Sequence, residues 1–75
     1  MARINLLEQT ERKAKKQSIA DADYLFFEDS GERLFQLVSY GSRDREFPES
    51  ASQTIQFDKQ TAEKLIAILK TGFQI

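Results

Sequence analysis

The chain contains neither cysteine nor histidine. Without thiols there are no disulfides and no thiolate metal sites. Without imidazole there is no His-ligated zinc and no Ser-His-Asp or Cys-His nucleophile system. No stretch approaches the roughly 20 apolar residues of a membrane span, and the opening MARINLLEQTERKAKKQ has no apolar run of signal-peptide length. The expected location is therefore cytoplasmic. With one proline and three glycines, and no repeat or low-complexity tract, nothing points to a linker-rich or fibrous protein.

What is present is a short, ordinary composition. Seventy-five residues, 40% hydrophobic and 31% charged, suffice for one small core and leave no room for a second domain. Such a chain buries only roughly 60% of its unfolded surface, so its stability is marginal unless a partner subunit contributes. The net charge of -1 conceals an asymmetry. Residues 1–20 carry five bases (Arg3, Arg12, Lys13, Lys15, Lys16) and two acids (Glu8, Glu11), a net +3, whereas residues 21–75 stand at -4. A basic arm on an acidic body is one pattern of nucleic-acid or acidic-partner contact; a solvated helix face is the other reading.

The chain divides into residues 1–20, a basic helix or arm, and residues 21–75, a single α+β domain. A helix is expected from about Leu6 to Gln17, with Asn5 as N-cap, Glu8 completing a capping box, and Glu8/Arg12 and Glu11/Lys15 as i, i+4 pairs. Its apolar stripe is thin: Ile4, Leu7 and Ala14, interrupted by Glu11. Residues 18–22 read as a linker. Tyr24-Leu25-Phe26-Phe27 reads as a strand entering a turn in which Gly31 supplies a positive φ. Residues 33–40 read as a second strand, with Leu34, Gln36, Val38 and Tyr40 on one face and Phe35, Leu37 and Ser39 on the other. Residues 42–52 form a charged loop that Phe47 anchors or extends as an edge strand ended by Pro48. A third strand, Gln53 to Phe57, turns Ile55 and Phe57 toward the core. The last segment is a helix of about three turns: Asp58 caps it, Ala62, Leu65, Ile66 and Leu69 form its apolar face, Lys70 suits its last turn, Gly72 is placed as an αL C-cap, and Phe73 can fold back on Ile68.

Little here carries chemistry. Asp21-x-Asp23 has the opening of a calcium loop without its glycine or its twelfth-position glutamate, so solvated turn acids are the better reading. Arg43 and Arg45 alternate with Asp44 and Glu46 and neutralise one another. No phosphate-binding glycine loop and no nucleophile elbow is present. No enzymatic activity, no cofactor, no metal and no small-molecule substrate is expected. Six Phe and two Tyr remain. Phe26, Phe27, Phe35 and Tyr40 lie on adjacent strands and are either core or, beside Arg33 or Arg43, a platform for unpaired bases; Tyr24 and Tyr40 suit the platform best because a phenol tolerates water.

The segments YLFFEDSGERLFQLVSYGS and QTIQFDKQTAEKLIAIL resemble the positive-cofactor-four family of single-stranded-DNA-binding transcriptional coactivators and its bacterial relatives. The likeness lies in the order strand, turn, strand, polar loop, strand, capped helix over residues 24–71. It implies a curved antiparallel sheet leading into a dimer-forming helix, and single-stranded DNA as ligand. The chain departs from that family in having no base in its first central strand, only Arg33 in its second, and an acidic body.

The sequence thus leads to an α+β fold: an antiparallel sheet of three or four strands, a C-terminal helix packed across it, and an N-terminal helix or arm. A homodimer is expected, with Phe35, Leu37, Leu65, Ile68, Leu69 and Phe73 as interface candidates. The first functional expectation is a non-enzymatic interaction module that binds a protein partner and itself. The alternative is a nucleic-acid-binding accessory or transcription-regulatory protein, with Arg12, Lys13, Lys15, Lys16, Arg33, Tyr40, Arg43 and Arg45 as candidate contacts. No membrane partner is expected.

Overall fold

The computed structural model describes residues 1–42 and 51–75, with backbone alone at 41, 42, 51 and 52. Four strands, β1 (Ala2–Arg3), β2 (Ala20–Asp29), β3 (Glu32–Ser42) and β4 (Ala51–Asp58), precede one helix, α1 (Lys59–Phe73). They form a single sheet in the order β1-β4-β3-β2. β2, β3 and β4 are antiparallel as expected, but β1 joins β4 in parallel, so the sheet is mixed. Ala2 and Arg3 lie opposite Ile55 and Gln56, and the Ile4 amide donates to the Gln56 carbonyl at 2.8 Å.

The helix anticipated over Leu6–Gln17 is absent, and the segment is an exposed arm. From Glu8 to Gln17 the one apolar side chain is Ala14, so a helix there would have nothing to bury, and a lone 12-residue helix is marginal in water. Short-range contacts take its place in the basic stretch: the Arg12 amide donates to Thr10 Oγ1, and Gln17 Nε2 donates to the Lys15 carbonyl, both at 3.4 Å.

The hairpin β2–β3 turns on two residues. Ser30 (φ 53°) and Gly31 (φ 78°) both adopt left-handed backbone, as a type I′ turn requires. The strands extend beyond the apolar cores read from the sequence. Ala20 pairs with Ser42 and Ala22 with Ser39 across a bulge, so residues 20–22 are strand and not linker. Their low strand propensity is overridden by hairpin pairing.

Asp58 ends β4 and caps α1 at once: its Oδ1 accepts from the Thr61 amide at 2.9 Å. The helix runs through Gly72 and closes at Gln74, whose φ of 59° makes it the left-handed residue. The Ile75 amide then reaches the Lys70 carbonyl at 3.0 Å, the six-to-one bond of a Schellman motif. The stop expected at Gly72 is therefore displaced by two residues. Phe73 is 73% exposed and does not fold back into cover.

The helix touches β3 and β4 without crossing the sheet. Among the described residues Leu34, at 5% exposure, is the one buried apolar side chain; it sits opposite Phe27 and Asp58 at the sheet end from which α1 leaves. Ala62 and Leu65 are half-buried, but Ile66 and Leu69 of the expected stripe are 55% and 41% exposed. The shape is correspondingly open. A compact chain of this length has a radius of gyration near 11 Å, against 14.4 Å here. No described helix is long and apolar enough to cross a membrane.

Candidate binding surface

Strand register sorts the sheet side chains into two faces of different chemistry. Cross-strand partners share a face, so Tyr24, Phe26, Glu28, Arg33, Phe35, Leu37, Ile55 and Phe57 lie together on one side. On it Phe35 is the hub. Its ring stacks on Phe57 with centroids 4.9 Å apart, stacks on Tyr24 at 5.9 Å, and meets Phe26 edge-on at 5.3 Å. The Arg33 guanidinium lies over Phe26, 5.0 Å from its centroid, and bridges to Glu28 at 3.5 Å. Tyr24 and Phe26 are 68% and 54% exposed, whereas Phe35 and Phe57 beside them are half-buried.

The other face mixes apolar side chains with acids. It bears Asp23, Asp29, Glu32 and Asp58 beside Leu25, Phe27, Leu34, Val38 and Tyr40. Gln56 Nε2 donates to Gln36 Oε1 at 2.7 Å, and the Tyr40 hydroxyl donates to Asp23 Oδ2 at 2.8 Å. That hydrogen bond to a carboxylate, with partial desolvation, raises the Tyr40 phenol above its usual pKa. Asp58 is shifted the other way, because the Thr61 amide stabilises its ionised form, with Arg3 contributing. Arg3 itself bridges Glu32 at 3.5 Å. Among the described residues no three carboxylates gather as a metal-binding group.

The sequence candidates are therefore only partly brought together. Arg33 joins the rings, and Tyr24 proves to be one of them. Tyr40 and Phe27 lie on the opposite face, because the two-residue alternation separates them from Phe35. Arg12, Lys13, Lys15 and Lys16 stand exposed on the arm. Arg43, Arg45, Phe47 and Pro48 lie outside the described residues. The interface candidates divide likewise: Phe35 and Leu37 belong to the ring face, whereas Leu65, Ile68, Leu69 and Phe73 belong to α1, where residues 5–9 of the arm run alongside and line a groove with Leu65, Ile68 and Thr71. Phe57, expected to face the core, is half-buried in this stack, a place that only the β3–β4 register makes legible.

This arrangement defines a class, a small mixed-sheet α+β domain with one open aromatic face. In comparison with known protein families, with curated proteins and with solved structures, nothing matches this chain.

Proposed function

We propose that the protein is a non-enzymatic binding module that works as a homodimer. One observation carries this reading. A folded monomer of 8.7 kDa is expected to expose about 4,700 Å², whereas this chain exposes 6994 Å². The excess, about 2,300 Å², is of the order that each subunit buries in a large obligate interface. Much of the exposed apolar area is on α1, at Ile66, Ile68, Leu69 and Phe73. Sedimentation equilibrium tests the dimer, and a monomer at high micromolar concentration would end it.

For the partner, the ring face supports single-stranded nucleic acid. Exposed aromatic planes with an adjacent guanidinium accept unpaired bases, each stacked base contributing roughly 1–3 kcal/mol. Most of the described sheet carboxylates with a register partner lie on the other face, away from a strand lying on the rings; Glu28, on the ring face, is paired with Arg33. The family resemblance implies the same ligand. Anisotropy with a labelled single-stranded oligonucleotide is expected to show binding that weakens steeply with salt. Affinity no better than millimolar at low salt would reject it. A protein partner is the second reading, favoured by the same unpolarised apolar area on α1; capture of a defined protein that competes with dimerisation would support it.

A further inference from the structure

β2 is the last strand of the sheet, and no described strand pairs with its outer edge. The edge is ten residues long, carries Tyr24-Leu25-Phe26-Phe27 at its centre, and has neither lysine nor proline to guard it. Its ends are acidic, Asp21 and Asp23 at one and Glu28 and Asp29 at the other. Antiparallel pairing of two β2 edges would set the first acidic pair of each against the second pair of the other, a like-charge opposition that disfavours it. A cationic extended segment meets the opposite situation. The chain has one: residues 10–17 include Arg12, Lys13, Lys15 and Lys16 against Glu11, a net +3, opposite a β2 strand that carries no base and four acids, of which Glu28 is bridged by Arg33 on β3. Those four cations are exposed and enter no ion pair among the described residues.

The connectivity supplies the reach. The chain leaves β1 at one edge of the sheet, level with Leu25, and enters β2 at Ala20 on the other edge, a span of roughly 15 Å across the strands and about 17 Å back along them, or about 23 Å in all. Residues 4–19, when extended, reach about 50 Å. Residues 5–9 spend part of the surplus beside α1, and residues 10–17 keep the rest, with their basic side chains exposed.

We propose that residues 10–17 of one copy add as a strand to the outer edge of β2 in a second copy. Main-chain hydrogen bonds supply the attachment and do not depend on sequence, while charge selects the basic segment over a second β2. The proposal rests on the homodimer reading and assigns to it a reciprocal exchange of arms.

The absence of cysteine permits a direct test in the 75-residue chain. Chains carrying Ala14→Cys are mixed with chains carrying Ala22→Cys and treated with a short thiol-to-thiol crosslinker. The mixed product is expected to exceed both 14–14 and 22–22 products several-fold. It is expected to fall several-fold at raised salt and in a Lys13→Glu/Lys15→Glu/Lys16→Glu background. A dimer in sedimentation whose mixed product is no more abundant than the like products would overturn the arm exchange and leave the dimer standing. A monomer in sedimentation, with no mixed product, would overturn both.

Discussion

Leu34 is the described side chain most completely removed from water, and it is set between the hairpin partner Phe27 and the capping residue Asp58. Truncating a buried leucine removes its transfer free energy and leaves a cavity. Leu34→Ala is therefore expected to cost about 2–4 kcal/mol, read as a lower urea midpoint. At Asp58 the lowered pKa fixes a direction with pH. The ionised carboxylate is bound more tightly in the folded chain than in the unfolded one, so its contribution is present above the ordinary carboxylate pKa and fades as pH falls below about 4. Asp58→Asn keeps an acceptor for Thr61 but cannot titrate. Between pH 7 and pH 3 its urea midpoint is expected to drop less than that of the unaltered chain; an equal drop would place the acid sensitivity elsewhere.

At the scale of elements, the hairpin shows what local sequence encodes. Gly31 announces a turn, but Ser30 pays a steric cost for the left-handed backbone. Asparagine tolerates that region better and is the favoured residue before glycine in a type I′ turn. Ser30→Asn is expected to stabilise the protein by up to about 1 kcal/mol in urea unfolding. Strand alternation and the helix periodicity with its Asp58 cap were legible from the residues, because neighbours in sequence determine them. The stack of Phe57, Phe35 and Tyr24 was not, since it depends on register between three strands. Nor was β1: two residues joining an edge in parallel leave no periodic trace. The capping signals at Asn5 and Glu8 misled because they describe how a helix would begin and not whether it has anything to cover. The ring face yields its own test. Tyr24→Ser and Phe26→Ser replace exposed rings, so they are expected to leave folding intact while weakening oligonucleotide affinity about 5- to 100-fold each. Unchanged affinity with both rings removed would take the nucleic acid off this face.

For the whole molecule, one buried leucine among the described residues and an excess of open surface offer little to hold the chain together. If the missing burial comes from a second copy, folding and association are one equilibrium, and stability must depend on protein concentration. Tm is then expected to rise as concentration increases from micromolar to millimolar. Leu69, 41% exposed on α1, distinguishes association from ordinary surface chemistry. On a free helix, Leu69→Lys exchanges an apolar group in water for a charged one and leaves stability within about 0.5 kcal/mol. In a subunit interface the same lysine brings an unpaired charge into an apolar contact and drives dissociation. The variant is expected to sediment as a monomer, with a Tm that is lower and nearly independent of concentration. Should it remain dimeric with an unaltered Tm, the subunits meet through another surface, and the ring face, with Phe35 and Leu37, becomes the interface to test next.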